Sequence, residues 1–249
     1  MVIIQFLSKR LNRLGSLLIV RIMTYPRIRH LSENSLIMDM SKKLDAELCP
    51  QIAALAEAAH NELTGVIESV PCATSVYIEF NPLEVDPTVI SERLHAMFSN
   101  ISGHALNVET VTLPCYYSPD VAPDLLALAE EKKMTFNELI SIHSGTTYTV
   151  CSIGFAPGFA YLGGLDPRIC ADRHSTPRQS VASGSVGIAG AQTAVYPRES
   201  PGGWQIIGNC PLPLFDIQSD PISPLSHGMQ VRFEPIDRQT FIQKGGKLP

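Results

Sequence analysis

The sequence has no apolar run long enough to cross a bilayer. Roughly 20 uninterrupted residues are needed, and its most apolar stretch, at the N-terminus, is broken by Lys9, Arg10 and Arg13. No membrane partner is expected. Charged residues are sparse at 17%, aromatics make up 7%, and no basic cluster is interleaved with aromatics to track a phosphate backbone. Nucleic acid is therefore not an expected partner. The six cysteines are never closer than 19 positions, so there is no C-x-x-C. Cys170 and His174 have ligand spacing but no second pair nearby, so no metal is expected. A chain that is 45% hydrophobic over 249 residues does not need disulfides, and reduced thiols in a cytoplasm fit better. There is no G-x-x-x-x-G-K-[ST], and Gly184, Gly187 and Gly190 sit in a strand-like run rather than at a helix start. Serine-hydrolase elbows and H-E-x-x-H pairs are missing too.

The charge that is present is unevenly placed. Lys9, Arg10, Arg13 and Arg21 give residues 1–22 a charge of +4 with no acid, so a total of -5 conceals a body of -9. A secretory signal would place its charges ahead of the apolar run and end on small residues, whereas Arg21 and Met23 follow GSLLIV. The expectation is an extension outside the fold with Met23 an alternative start; an organelle transit peptide stays open.

Residues 23–104 read as a small α/β domain. Strand-like runs occur at Arg27 to Leu31, Ser35 to Met40, Val66 to Val70 and Ser75 to Phe80. Leu48, Ile52, Leu55, Ala56, Ala59 and Leu63 recur at helical spacing, with Gly65 placed to stop the helix. Asp86 and Pro87 read as an N-cap and first residue of a second helix through Ile90, Leu94, Met97 and Phe98. The polar stretch Ser99 to His104 reads as a linker.

Residues 105–249 differ. A strand near Val108 to Leu113 precedes two helices, the second opened by a Thr135/Glu138 capping box, ending near His143 and Gly145 and carrying Ile140 inward. From Gly145 to Gly208 there are 11 Gly and 5 Pro in 64 residues, broken by short runs at Tyr148 to Ile153, Ser185 to Ala189, Thr193 to Tyr196 and Trp204 to Ile207. Such a pattern predicts a β-barrel, with a last strand at Gln230 to Glu234.

Several motifs occur in a fixed order: GFAPGFAYLGGLDPRI from Gly154, then TPR, GSVGIAGAQT, YPRESPGGWQIIG and PLFD. Together they resemble the family of 5-oxoprolinase B subunits, also called allophanate hydrolase subunit 1. PLEVDP extends the resemblance more loosely into the first domain, and residues 1–22 match nothing in it. The resemblance implies an α+β fold in which a small N-terminal α/β domain precedes a cyclophilin-like β-barrel. It implies ATP-dependent opening of 5-oxoproline to glutamate in the cytoplasm, together with the A and C subunits, the complex binding ATP with magnesium. One relative inhibits a sensor histidine kinase, and a related region of urea carboxylase serves as a carboxyltransferase component; both remain alternatives. Where relatives usually read I-I-G-R-T-P, this chain has Ile206, Ile207, Gly208, Asn209, Cys210 and Pro211, which removes a cation at Asn209. The usual proline-alanine before GSV is replaced by Val181, Ala182 and Ser183.

Phosphoryl or carboxylate chemistry needs cations, and Arg168 and Arg178 are the catalytic candidates because a guanidinium grips either anion in bidentate fashion; the alternative is a surface pairing with Asp166 or Asp172. His143 is a candidate general base or a satisfied core histidine. Gln192 and Tyr196 are candidate substrate contacts at a barrel mouth, as are Phe155, Pro157, Gly158 and Tyr161 in an aromatic loop, although each also suits structural packing. Ser200, Pro201, Gly202, Gly203 and Trp204 form a candidate partner contact, with loop packing as the competing role of the tryptophan.

Overall fold

The computed structural model describes residues 25–102 and 106–248. The expected extension over 1–22, Met23 and the boundary at 104 lie outside the described residues.

The first unit is a four-stranded antiparallel sheet covered by two helices. Strands β1 (Arg27–Ser32), β2 (Ser35–Asp39), β3 (Val66–Pro71) and β4 (Ser75–Phe80) lie in the order β1-β2-β4-β3. Alternation sends Leu36 and Met38 of β2 and Val76, Ile78 and Phe80 of β4 to one face. There they meet Ile52, Leu55, Ala56 and Ala59 of α1 (Cys49–Glu62) and Ile90 and Leu94 of α2 (Pro87–Ile101) in one apolar cluster. Each large side chain so buried contributes about 1.5–3 kcal/mol. Gly65 ends the α1 turn at φ +82°, where a Cβ would stand 2.7 Å from Val85 Cγ1. Asp86 caps α2 by accepting the Thr88 N–H at 2.7 Å. The expected linker is corrected at its start: Ser99 to Ile101 form the last turn of α2. Ile101 falls one turn beyond Met97, extends the apolar stripe and packs on the cluster, which outweighs the weak helix propensity of Ser99 and Asn100.

The second unit is built on a seven-stranded curled sheet. Its strands are β5 (Thr110–Cys115), β6 (Thr147–Ile153), β7 (Ala160–Gly163), β9 (Ser185–Ala189), β10 (Gln192–Val195), β12 (Gln205–Asn209) and β13 (Gln230–Pro235), in the order β12-β9-β10-β7-β6-β13-β5. All neighbours are antiparallel except β13 and β5. The two ends meet at one antiparallel bridge, where the Tyr116 N–H donates to Asn209 O at 2.8 Å and the Asn209 N–H donates back at 2.9 Å. The architecture is α+β with a barrel-like second half. The short strands β8 (Arg178–Val181) and β11 (Ser200–Gly202) form a separate ribbon. Helices α3 (Leu125–Glu131) and α4 (Phe136–Gly145) pack Leu125, Leu128 and Leu139 onto Tyr148, Val150, Val231 and Phe233, and α5 (Arg238–Gln243) buries Phe241.

Two expectations shift. The first barrel strand starts at Thr110 rather than Val108, because its register is set by β13, with Gln230 opposite Thr110 and Pro235 opposite Cys115. In α4 it is Leu139 that is fully buried, with Ile140 only partly so, although the Thr135/Glu138 box forms as expected. The two units touch where α1 approaches β6. Gly228, at φ +85°, lies against α1, so that a Cβ there would be 2.9 Å from Ala53 Cβ and 3.0 Å from Pro50 Cα. Among the described residues, no helix is long and apolar enough to cross a membrane.

Candidate functional site

A cleft of about 430 Å³ opens between the β8/β11 ribbon, the β12 end of the barrel and the C-terminal segment. Apolar surface comes from Val121, Val181 and Ile206, and polar surface from Asp120, Arg178, Ser180, Ser185, Asn209 and Lys247. Arg178 enters the cleft wall because it is the first residue of β8, paired with Gly202 of β11. Its Nη2 donates to Asp124 Oδ1 at 2.5 Å, and its Nη1 donates to the Trp204 carbonyl at 3.4 Å.

Asp124 organises this wall. It immediately precedes α3 but does not cap it. Instead its Oδ2 accepts the Ile206 N–H at 2.7 Å, while its own N–H donates to the Ile206 carbonyl at 3.1 Å. The carboxylate is thus clamped to β12 and is only 6% exposed. A buried carboxylate requires a cationic partner, and Arg178 supplies it. His174 Nε2 stands 3.2 Å from the same Oδ1. Neither Asp124 nor Lys247 stands out in the sequence. The acid reads as an ordinary helix cap, and the lysine is one residue in a polar tail.

The other sequence candidates are not brought to this cleft. His143 is corrected from general base to core residue: it is fully buried, its Nδ1 lies 2.8 Å from Tyr117 Oη and its Nε2 3.0 Å from Thr193 Oγ1. The single Thr193 hydroxyl hydrogen goes to the Gly187 carbonyl at 2.9 Å. Nε2 therefore carries the ring hydrogen and Nδ1 accepts from the Tyr117 phenol. Burial alone pushes this imidazole down to about 3 and holds it neutral. Arg168 lies away from this cleft and makes the surface pairing with Asp166 that is its alternative reading. It is 66% exposed and forks onto Asp166 through Nε at 3.0 Å and Nη2 at 2.6 Å, because a turn of 3-10 helix (Pro167–Ile169) folds it back onto its own cap. That contact, with the Arg168 N–H bonding the same carboxylate, holds Asp166 down to about 2.

Tyr196 and Trp204 are buried, at 1% and 4% exposure, in an aromatic cluster with Phe159 and Tyr161. Tyr196 packs under Gly202, and the Arg173 guanidinium covers the Trp204 ring at 5.7 Å. Trp204 is therefore a packing residue rather than an exposed partner contact. Ser200, Pro201 and Gly202 form β11, and Gly203 is buried behind it. Gln192 pairs through its backbone with Ala189 and Gly163 and does not line the cleft. Gly158 turns at φ +80° against the Leu214 carbonyl, while Phe155, at φ +71° and 64% exposed, and Pro157 face solvent. Asn209 braces the preceding loop, donating from Nδ2 to the Ser183 carbonyl at 3.0 Å. The thiol of Cys170 turns to the Asp166 carbonyl at 3.6 Å rather than joining His174, and all six cysteines are free.

The family described as "Carboxyltransferase domain, subdomain C and D" matches residues 26–225. The chain is 34% identical over 227 residues to the B subunit of 5-oxoprolinase from Bacillus subtilis (strain 168), covering 86% of this chain and 95% of that one. Among solved structures, it superposes on TTHA0988 with a TM-score of 0.71 at 24% identity, over 90% of this chain and 41% of that one. It also superposes on the urea carboxylase of Kluyveromyces lactis with a TM-score of 0.62 at 20% identity, over 89% of this chain and 23% of that one. This chain thus spans less than half the length of either structural neighbour, and they share its fold. The conclusion from sequence and fold together is that the chain belongs to the carboxyltransferase subdomain C and D family, alongside the 5-oxoprolinase B subunits.

Proposed function

We propose that this protein is the B subunit of an ATP-dependent 5-oxoprolinase that opens 5-oxo-L-proline to L-glutamate together with A and C subunits. The observation that carries this reading is the 34% identity spread over 95% of the Bacillus subtilis protein. The cleft suits such a substrate. A five-membered lactam presents one carboxylate, one amide and a small apolar ring. Arg178 and Lys247 offer cations, Ser180, Ser185 and Asn209 offer neutral polar groups, and Val121, Val181 and Ile206 offer apolar surface.

Opening the lactam is uphill, and ATP supplies the driving force. The glycine-rich run of this chain does not fit a triphosphate: Ser185–Ala189 are all buried, and their backbone groups are engaged by β10 and β12. A phosphate cradle requires free N–H groups at a loop or helix start. The proposal therefore assigns ATP and magnesium to a partner subunit. With His143 sealed in the core, it also assigns the base that handles the attacking water to a partner. This chain binds and orients the substrate. A cytoplasmic setting agrees with six free thiols.

The test is to co-express the chain with candidate A and C subunits, purify the assembly and measure glutamate released from 5-oxoproline with and without ATP. Turnover that needs all three chains and ATP is expected. A mixture that neither assembles nor turns over defeats the reading.

A further inference from the structure

Two nitrogen groups converge on one carboxylate oxygen. Arg178 Nη2 at 2.5 Å and His174 Nε2 at 3.2 Å both reach Asp124 Oδ1, while Oδ2 is held by the Ile206 N–H. The two contacts are unequal. The guanidinium makes a short charge-assisted bond, whereas His174 Nε2 is buried and makes no hydrogen bond of good geometry. Buried polar atoms are normally paired, so a ring nitrogen held just short of a proper bond is a reserve donor. Asp124 is fixed to β12 at both its amide and its carboxylate and cannot follow Arg178. The arginine side chain is 30% exposed at the cleft wall, and its second anchor is only a long 3.4 Å bond from Nη1 to the Trp204 carbonyl, which a turn toward the cleft gives up.

A ligand carboxylate in the cleft gives Arg178 a second anion to grip. Asp124 would then be left buried and short of a cation, an arrangement that is strongly unfavourable. A neutral imidazole offers it a hydrogen bond but leaves its charge uncompensated; an imidazolium supplies both.

We propose that the cleft captures carboxylates in a proton-linked exchange, in which Arg178 turns from Asp124 to the ligand and His174, taking a proton from solvent, replaces it on Asp124. One negative charge and one proton enter together, so the net charge of the site is unchanged. His174 is a positioning residue, since it acts through Asp124 and never touches the ligand. The scheme depends on the proposed function only for the identity of the ligand. The charged groups around His174 are Asp124 ahead of α3, Arg178 on β8, and Asp172 and Arg173 on its own loop, where Arg173 is drawn onto Trp204. Glu131 and Lys132 at the far end of α3 line the cavity beyond Arg173.

The direct test is NMR titration of the His174 imidazole in the full chain. Arg178→Gln leaves Asp124 to His174 and is expected to raise its midpoint by about one pH unit or more, and Asp124→Asn added to it should abolish the rise. Should Arg178→Gln fail to fold, Arg178→Lys is read instead, with a smaller rise expected. A midpoint that is the same with and without the Arg178 substitution overturns the proposal. The second arm is calorimetric binding of 5-oxo-L-proline, and separately of propionate, in buffers of different ionisation heat. Proton uptake coupled to binding is expected, about half a proton per ligand at its maximum for a midpoint rise of about one pH unit and more for a larger rise, with affinity falling as pH rises, and His174→Gln should remove the uptake. Propionate binding with uptake while 5-oxo-L-proline does not bind supports the exchange and removes the substrate assignment. Binding without uptake, or no binding of either compound, overturns the exchange.

Discussion

Burial and charge pairing assign different work to residues that look alike in the sequence. His143 ordinarily titrates near 6.5, and burial takes it to about 3. Below pH 6.5 the unfolded chain binds a proton that the folded one refuses until pH 3. The stability this residue contributes is therefore complete above pH 6.5 and lost as pH falls toward 3, by roughly 5 kcal/mol across that window. His143→Gln should flatten the fall in unfolding free energy between pH 6.5 and 4, measured by urea denaturation; an unchanged slope would contradict the assignment. The two arginines also separate. Arg178→Gln in the assembled enzyme should raise KM for 5-oxoproline about 10- to 100-fold, the worth of a charge-assisted contact of about 1.5–3 kcal/mol. Arg168→Gln, which breaks only an exposed pairing with Asp166, should leave kcat and KM near wild type and shift stability by less than about 1 kcal/mol. Equal losses for both would sink the placement of the site.

Among the elements, the barrel depends on glycine where its two ends meet. At Gly208 of β12 a Cβ would stand 2.6 Å from Cys115 Sγ and 3.2 Å from the Tyr116 carbonyl, beside the closing bridge. Gly208→Ala should destabilise the fold by about 1–3 kcal/mol through overpacking, read as a lower urea midpoint; a neutral result would mean that the bridge is compliant. Elements with strong local signals were legible beforehand. Strands β4 and β9 and the caps Asp86 and Thr135 follow from alternation and capping chemistry that act within a few residues. Strands β7, β8 and β11 were not, because three- and four-residue strands carry too little periodicity and their pairing is decided by the rest of the barrel. The site divides in the same way. Arg178 announces itself as a cation after TP, whereas the role of Asp124 comes from Ile206, 82 positions away, and no local pattern records that contact.

For the whole molecule, the two apolar clusters belong to different sheets, and Gly228 is one point at which the units approach closely. Ala at this position would meet both a positive φ and the α1 backbone. Gly228→Ala should wedge α1 from the barrel and split thermal unfolding into two calorimetric transitions. A single transition at the wild-type temperature would show that the units are held together elsewhere. The charge of -9 carried by residues 23–249, with Asp120 in the cleft lining and Asp124 paired to Arg178, favours selection of small anions by specific contacts over long-range attraction.

The parallel pairing of β13 with β5 bears on how the protein is made. The ladder joins Thr110 to Gln230 and separates β5 from β6, the strand that follows it in the chain. On the ribosome, the first sheet and both of its helices are complete once Ile101 has emerged, but β5 must wait for a neighbour 120 residues downstream. At about 5–20 residues per second that interval is roughly 6–24 s, during which the nascent barrel has an open seam and unpaired backbone along β5. Translation speed across residues 116–229 therefore sets how long that edge is exposed to other nascent chains, and a chaperone covering it has its use before β13 is synthesised rather than after release.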